Sequence, residues 1–256
     1  MQNDLNKKIV QSVDRALTLL RLVGQSPEPI TLQELCSVTG LNRTTVWRLL
    51  VTLESHGLIF CDPATKLYSL GVASNLLAIN FRSQYEPIIR TVMPEMEQLS
   101  IKFRESIGLS IPYSFHVLTI AQLDPDLPVQ LRDYTNSLSP LSCSSDGKMY
   151  LSYFDDLQLD NYLANELPKP TSHSITDPER LREELSRIRQ LGYAFNEQEL
   201  HGEENGVGCA ITVDGRPVAF ITIAGPSFRF TREIMVSAAT DLLSVSKKMS
   251  RLLSRS

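Results

Sequence analysis

Apolar residues in the first 70 positions recur every three or four residues, a spacing that places them on one face of an α-helix. Three segments have this spacing, at residues 13–23, 32–38 and 46–53. Two strand-like segments follow at 58–61 and 66–70, joined by the turn residues 62–65. The pattern predicts three helices and a β-hairpin, which is the element order of a winged helix-turn-helix domain.

Polar residues at the predicted helix ends favour the same structure. Thr31 and Glu34 have the spacing of a capping box, in which each side chain bonds the backbone of the other residue. Gly40 suits a tight turn because glycine adopts a positive φ at little cost, and Asn42 is placed to cap the third helix. The second and third helices are therefore predicted to form a helix-turn-helix.

The rest of the chain mixes helical and strand-like segments. An apolar stripe runs from Tyr85 to Phe103, and Pro94 within it is expected to kink or restart the helix. Strand-like segments follow near 105–112, 115–123 and 128–134, with a hairpin at 208–213 and 217–224. Helical segments lie near 144–156, 178–191 and 232–254. A sheet flanked by helices predicts an α+β fold.

Three parts are predicted along the chain. They are a winged helix-turn-helix domain at 8–71, a linker helix at 72–83 and a larger α/β domain at 84–256. The linker has more apolar surface than one small domain can cover, contributed by Leu76, Leu77, Ile79 and Phe81. This surface predicts a homodimer or a larger assembly.

The composition is that of a globular protein, with 42% hydrophobic and 21% charged residues. No apolar run is long enough to cross a membrane, and the first residues lack the pattern of a signal peptide. We therefore expect a cytoplasmic protein. The four cysteines form no CxxC pair, so neither a metal ion nor another cofactor is expected.

The charge distribution gives only slight support to nucleic-acid binding. The net charge of the chain is −4, which is unlike that of a strongly basic DNA-binding protein. Residues 1–80 hold seven Lys and Arg against six Asp and Glu, a net charge of +1, which leaves −5 for the remainder. The prediction of DNA binding therefore depends on the residue pattern.

The third predicted helix begins with residues that suit DNA contacts. If Val46, Leu50 and Leu53 face the core, their neighbours face outward at the end with which recognition helices reach base edges. Arg side chains there can bond guanine or phosphate, and Thr hydroxyls can bond phosphate. With one lysine on the hairpin, the candidate DNA contacts are Arg43, Thr44, Thr45, Trp47, Arg48 and Lys66.

Two alternatives apply to this helix. Trp47 either stacks on sugars and thymine methyl groups or packs partly against the first helix, because Trp is seldom fully exposed. The whole polar face is either a DNA-contacting surface or a surface that binds another protein.

Short motifs in a fixed order give the chain a specific resemblance. Pro140-Leu141 followed by Gly147-Lys148 is one such motif, and Gly192-Tyr193-Ala194 is another. With these motifs in this order along the chain, residues from about 10 to 254 resemble the IclR family of transcription regulators. The remaining matching segments are 10–17, 41–53, 57–58, 68–71, 206–210, 225–226 and 228–230.

The resemblance implies a GAF-like C-terminal domain that binds a small organic acid or aromatic effector. Carried over residue by residue, it implies an effector site formed by Ser145, Asp146, Glu199, Cys209, Thr222 and Ala224. Asp146 stands where the family usually has a small apolar residue, and an aspartate there would repel a carboxylate. The segment around Glu199 is slightly longer than usual.

An enzyme is the alternative from a different functional class. Ser145 and Lys148 have the S-x-x-K spacing of penicillin-recognising acylases, but the companion motifs are absent. Cys209 with one of the four histidines would be a thiol nucleophile pair, yet it lies in an apolar strand-like run where a cysteine is usually a core residue.

The function predicted from the sequence is a non-enzymatic, sequence-specific DNA-binding regulator controlled by a small-molecule effector. The implied partners are a double-stranded DNA operator, the effector and further copies of the chain in a dimer or tetramer. RNA polymerase is a further candidate partner. The sequence does not distinguish an activator from a repressor.

Overall fold

Three helices and a two-stranded hairpin form the N-terminal part of the chain, as the pattern predicts. The computed structural model describes residues 9–254, except for the side chains of residues 80–82. The elements are α1 (Gln11–Gln25), α2 (Leu32–Thr39), α3 (Arg43–Ser55), β1 (Ile59–Cys61) and β2 (Tyr68–Leu70). β1 and β2 pair in antiparallel fashion and form the wing.

The predicted caps are present at the helix-turn-helix. Thr31 and Glu34 form the capping box, and Gly40 ends α2 with a φ of 66°. The Asn42 side chain accepts a hydrogen bond from the Thr45 N–H at 2.8 Å. Residues at helical spacing then meet in one core, which contains Leu19, Val23, Leu35, Val46, Leu50, Leu53, Ile59 and Tyr68.

One long helix, α4 (Val72–Phe103), covers both the predicted linker and the first helix expected beyond it. Pro94 does not restart this helix. A proline removes one intrahelical hydrogen bond, but the burial of the neighbouring Val92, Met96 and Leu99 holds the helix together across this position. No helix in the described part of the chain has both the length and the hydropathy to cross a membrane.

The chain divides between Gln84 and Tyr85 into two compact units. This division lies next to the predicted boundary at residues 83 and 84. The first residue of the predicted winged domain, residue 8, and the last two of the predicted larger domain, residues 255–256, lie outside the described residues. The side chain of Phe81 also lies outside them.

A six-stranded antiparallel sheet organises the C-terminal unit. Its strands run in the order β5-β4-β3-β8-β7-β6. They are β3 (Ser106–Tyr113), β4 (His116–Leu123), β5 (Leu138–Pro140), β6 (Ala194–Glu197), β7 (Glu204–Val213) and β8 (Arg216–Pro226). The helices are α5 (Ser145–Leu151), α6 (Asp156–Leu163), α7 (Pro178–Leu191) and α8 (Arg232–Leu253). This arrangement confirms the α+β prediction.

Each face of the sheet packs against different helices, because strand side chains alternate between faces. One core joins Ile107, Val207 and Ile221 to residues of α4 and α8. The other joins Ala210 and Phe220 to residues of α5, α6 and α7. The polar cavity described below lies on the second face.

Two predicted elements of this unit differ from the structure. The segment near 128–134 is not a strand, because the Gln122 side chain bonds its backbone at Arg132 and Tyr134 in place of a neighbouring strand. The helical segment near 144–156 ends at Leu151, and Asp155 caps a separate helix that follows.

Candidate functional site

The outward face of α3 holds most of the predicted DNA contacts. Val46, Leu50 and Leu53 are buried, which leaves Arg43, Thr44, Trp47 and Arg48 exposed and Thr45 half-buried. The Asn42 cap fixes where the helix begins, and so places these side chains within its first two turns.

The two arginines on this face are available for a partner. In the described part of the chain neither Arg43 nor Arg48 forms an ion pair, since none of the observed ion pairs includes them. A free guanidinium has five N–H donors in a planar fork that fits phosphate or the edge of guanine. The face can therefore bind an anionic, hydrogen-bonding surface such as DNA.

Lys66 lies two residues before β2, at the end of the wing turn, and is exposed. Its φ of 61° places the backbone in the left-handed region. The Asp62 carboxylate holds this turn by accepting hydrogen bonds from the N–H groups of Ala64 and Thr65, both at 2.8 Å. The Lys66 ammonium is thus presented on a tight and well-bonded turn.

Trp47 is 52% exposed. Its ring therefore covers part of the helix surface while a large apolar area remains open. Both alternatives drawn from the sequence, partial packing and contact with DNA, are compatible with this exposure.

A cavity of about 70 Å³ lies beside α5, on the sheet face formed by β3, β7 and β8. It contains four of the six residues that the resemblance implied for the effector site, Ser145, Asp146, Thr222 and Ala224. Thr222 and Ala224 are two residues apart on β8 and therefore face the same side. The structure brings these four residues together.

Asp146 has its carboxylate fixed by neutral groups. Its Oδ2 accepts a hydrogen bond from the Ser110 hydroxyl at 2.6 Å, and its Oδ1 accepts one from the Gly147 N–H at 2.9 Å. The carboxylate is buried and borders the cavity, so it presents negative charge to any ligand there.

Cys209 does not line the cavity, contrary to what the resemblance implied. It is fully buried in the core on the opposite face of the sheet. Its register partner is Ile221, whereas Gly208 pairs with Thr222 and faces the cavity side. Burial raises the pKa of the Cys209 thiol to about 12, so the thiol is protonated at neutral pH.

Glu199 also lies away from the cavity, although the resemblance implied it. Its Oε1 accepts a hydrogen bond from the Lys148 ammonium at 2.5 Å, and both side chains are almost fully buried. Burial raises the pKa of the Glu199 carboxyl, and the Lys148 ammonium opposes that rise. Glu199 therefore anchors α5 through Lys148, and it borders a separate groove beside α7.

Sequence reasoning missed several residues of the cavity wall. The Tyr134 hydroxyl donates to both carboxylate oxygens of Glu204, at 2.7 and 2.8 Å, and both residues border the cavity. Burial and this hydrogen bond raise the pKa of Tyr134. The polar residues of the wall that sequence reasoning missed also include Ser106, Thr119, Gln122, Ser139 and Asn196. Their sequence signal is weak, because they come from separate segments of the chain.

Two family models match nearly the whole chain. The IclR helix-turn-helix domain matches residues 12–63. The bacterial transcriptional regulator IclR C-terminal region matches residues 83–251. The first match covers α1 to α3 and the first wing strand but ends before β2, and the second covers most of the sheet domain.

Relatives and solved structures agree with these matches. The chain is 31% identical to the HTH-type transcriptional regulator KipR of Bacillus subtilis over 235 residues, and this matched region covers 91% of each chain. An IclR transcriptional regulator from Alicyclobacillus acidocaldarius has the same fold, with a TM-score of 0.78 at 23% identity over 95% of this chain and 98% of that one. An IclR homologue from Microbacterium hydrocarbonoxydans, solved with 4-hydroxybenzoate, has a TM-score of 0.73 at 20% identity over 93% and 99%. The chain belongs to the IclR family of bacterial transcription regulators, in which a helix-turn-helix domain binds DNA and a C-terminal domain binds a small-molecule effector.

Proposed function

We propose that α3 binds the major groove of an operator and that a small molecule in the sheet-domain cavity controls this binding. The observation that carries the proposal is the set of exposed side chains in the first two turns of α3, whose two arginines form no ion pair with any described residue. Lys66 on the wing would bind a backbone phosphate. The homologue solved with 4-hydroxybenzoate supports a small organic ligand for the C-terminal domain.

Arg43→Ala and Arg48→Ala are each expected to weaken operator binding by about 1–3 kcal/mol, the usual contribution of one arginine to base or phosphate recognition. Fluorescence anisotropy with a labelled fragment of the chain's own promoter region measures the affinity. Circular dichroism should show an unchanged fold, because both side chains are exposed.

Arg90→Ala is the matched control for these variants. Arg90 is exposed, and among the described residues it pairs with Glu86 on the same helix. The control removes the same charge and should leave operator affinity unchanged. If wild type binds no promoter DNA in any gel shift, the alternative that this domain binds protein is favoured. If both α3 variants bind as tightly as wild type, α3 is not the recognition helix.

We further infer that the chain is at least a homodimer. Val72, Leu76 and Ile79 lie at positions i, i+4 and i+7 of α4 and so share one helix face. Each is more than half exposed, and a second copy would cover them. Dimerisation would also pair two weakly charged DNA-binding domains on a two-fold operator.

Leu76→Glu is expected to shift the assembly toward the monomer and to weaken operator binding, because it places a charge in the apolar face. Sedimentation equilibrium measures the first effect and anisotropy the second. Ala78→Glu, an exposed position on another face of the same helix, is the control. A Leu76→Glu variant that keeps the wild-type mass in solution would contradict the assignment.

We propose a binding role for the cavity and no catalytic one. The Lys148 ammonium is committed to Glu199 at 2.5 Å, with Glu184 at 3.5 Å, and so is not placed as a base for Ser145. A thiol with a pKa of about 12 is a poor nucleophile at neutral pH, which argues against Cys209. Failure of acylating and thiol-directed probes to label the native protein would support this role.

A regulator that binds a bacterial operator would act in the cytoplasm, where operators are found. Formation of a tetramer and contact with RNA polymerase remain further predictions. Sedimentation of the operator complex, with and without polymerase, tests both.

A further inference from the structure

We propose that the effector of this chain is a small hydroxylated amine that binds as a cation, and not a carboxylate. The proposal rests on the proposed function, because it takes the cavity beside α5 as the effector site. Three features of the cavity, taken over the described residues, lead to it: hydroxyls without a partner, carboxylates whose direct partners are neutral, and a wall without a basic side chain.

The first feature is a group of buried hydroxyls that face the cavity without a partner. Thr119, Ser139 and Ser145 each border the cavity and are less than 10% exposed. Among the described residues none of these three hydroxyls forms a hydrogen bond, whereas the neighbouring Ser144 hydroxyl donates to the Pro140 carbonyl. Their oxygen atoms are not among the fully buried side-chain atoms that lack a partner in the described chain, so they are open to the cavity. A hydroxyl can both donate and accept a hydrogen bond, and these three can therefore bond a ligand, or water that a ligand replaces, with several hydrogen-bonding groups.

The second feature is the charge of the wall. Asp146 and Glu204 both border the cavity. The side-chain partners of their carboxylates are the neutral hydroxyls of Ser110 and Tyr134. Asp124, just behind the wall, likewise accepts from neutral groups, the Ser106 hydroxyl and the Gln122 amide. Among the described residues no positive side chain bonds these three carboxylates directly. Arg132 acts on the site only through Tyr134, where its positive charge opposes the rise in the pKa that burial causes.

The third feature concerns the nearest cations. Among the residues that border the cavity in the described chain there is no Lys, Arg or His. Lys148, two residues from Asp146, bonds Glu199 instead. Arg132 lies 4.6 Å from the centre of the Tyr134 ring and contacts His201, and it borders the neighbouring groove. Arg132 also borders another groove together with Glu204, but it does not line the cavity itself. A carboxylate ligand in the cavity would therefore meet like charge with no basic side chain on the wall, and an ammonium would be attracted.

The size of the cavity limits the ligand. A water molecule needs about 10–15 Å³ of such space, so a cavity of about 70 Å³ holds roughly five non-hydrogen atoms. An ammonium group would bind between Asp146 and Glu204, and hydroxyls would pair with the Thr119, Ser139 and Ser145 side chains. A short amino alcohol has both groups within this size.

The test uses three probes of similar size: ethanolamine, glycerol and glycolate. They carry hydroxyls with a positive charge, no charge and a negative charge, respectively. Isothermal titration calorimetry on the full-length protein measures binding at neutral pH. We expect ethanolamine to bind, glycerol to bind more weakly and glycolate to give no signal. Binding should also raise the melting temperature, because a ligand of the folded state stabilises it.

Two variants test where the ammonium is held. Asp146→Asn and Glu204→Gln each keep the shape of the side chain and remove its charge. Each should weaken ethanolamine binding by about tenfold to a hundredfold, the factor that corresponds to a hydrogen bond with a charged group. Glu183→Gln, an exposed carboxylate on α7, is the matched control and should bind like wild type. Either cavity variant is sufficient if the other does not fold.

Several outcomes would overturn the proposal. They are tighter binding of glycolate than of ethanolamine, equal binding of glycerol and ethanolamine, no binding of any probe, and unchanged ethanolamine binding in both cavity variants. Operator affinity without ligand is measured separately, with the α3 variants. A protein that binds its operator but takes glycolate would contradict the ligand class alone, whereas one that binds no operator would contradict the proposed function.

Discussion

Replacing Lys148 with methionine is expected to lower the free energy of unfolding of the C-terminal unit by about 3–5 kcal/mol, the usual cost of removing one partner of a buried ion pair. The Lys148 side chain is 1% exposed and its ammonium lies 2.5 Å from Glu199. Without it, the one hydrogen bond left to the buried Glu199 carboxylate among the described residues is the weak contact from the Glu197 N–H at 3.4 Å. Its other oxygen has no partner among the described residues. Denaturant unfolding followed by near-ultraviolet circular dichroism measures the loss.

The pH dependence of this loss has a definite sign. Burial raises the pKa of Glu199 in the folded protein, and removal of the ammonium would raise it further. The folded state then binds the Glu199 proton more tightly than the unfolded state, so stability falls as pH rises above the ordinary glutamate range. The cost of Lys148→Met should therefore be larger near pH 8 than near pH 5.

Two further variants isolate the ion pair as the cause. The double variant Lys148→Met with Glu199→Met should recover most of the lost stability, because replacing a buried pair by apolar groups is often close to neutral. Lys102→Met is the matched single control. Lys102 pairs with Asp241 at 2.7 Å but is 57% exposed, so its loss should cost less than about 1 kcal/mol. Equal costs for Lys148→Met and Lys102→Met would contradict the role assigned to Lys148.

Local signals were sufficient to predict the helix-turn-helix. The Thr31–Glu34 capping box, the turn at Gly40 and the Asn42 cap depend on residues within four positions of each other, and all three are present. The inward stripe of α3 has the same local origin, and it left Arg43 and Arg48 on the exposed face. Local periodicity therefore predicted both the fold of this unit and the exposure of its candidate DNA contacts.

The cavity was only partly predictable, and Cys209 shows why. Counting back from the Asp214-Gly215 turn, with Val213 opposite Arg216, places Cys209 opposite Phe220, on the same face as Thr222. The structure has a register shift between Ile211 and Thr212, which moves Cys209 opposite Ile221. One extra residue in a strand pair reverses the relation between the two faces. The sequence has no distinct signal for this bulge.

The remaining polar wall depends on contacts between distant segments. Tyr134 reaches Glu204, 70 residues later in the chain, and Ser110 reaches Asp146. The segment around Leu131 has the alternation of a strand, yet its backbone bonds the Gln122 side chain instead. Periodicity describes one segment at a time, so it does not predict which polar side chains converge.

Gly71→Ala is expected to lower the free energy of unfolding of the winged domain by about 3 kcal/mol or more, at the upper end of the cost of overpacking. A Cβ at this position would lie 2.2 Å from the Gly57 carbonyl oxygen and 2.9 Å from that of Ile59. Both obstacles are backbone, and the Gly71 N–H is itself held by the Leu58 carbonyl at 2.9 Å. The strand end at the base of the wing would therefore have to move, and operator binding would weaken with it.

Gly24→Ala in α1 is the matched control, with the opposite expected sign. The three atoms nearest to a Cβ there, among the described residues, all belong to the Leu70 side chain, at 3.5 Å or more. Alanine in a helix is favoured over glycine by about 0.5–1 kcal/mol. Trp47 is the single tryptophan of the chain and lies in α3, so its fluorescence in a denaturant titration reports this domain and not the sheet domain. The midpoint should fall for Gly71→Ala and rise slightly for Gly24→Ala. If the Gly71→Ala midpoint equals that of wild type, the close approach of the two backbone segments at Gly57 and Gly71 does not limit the residue at position 71.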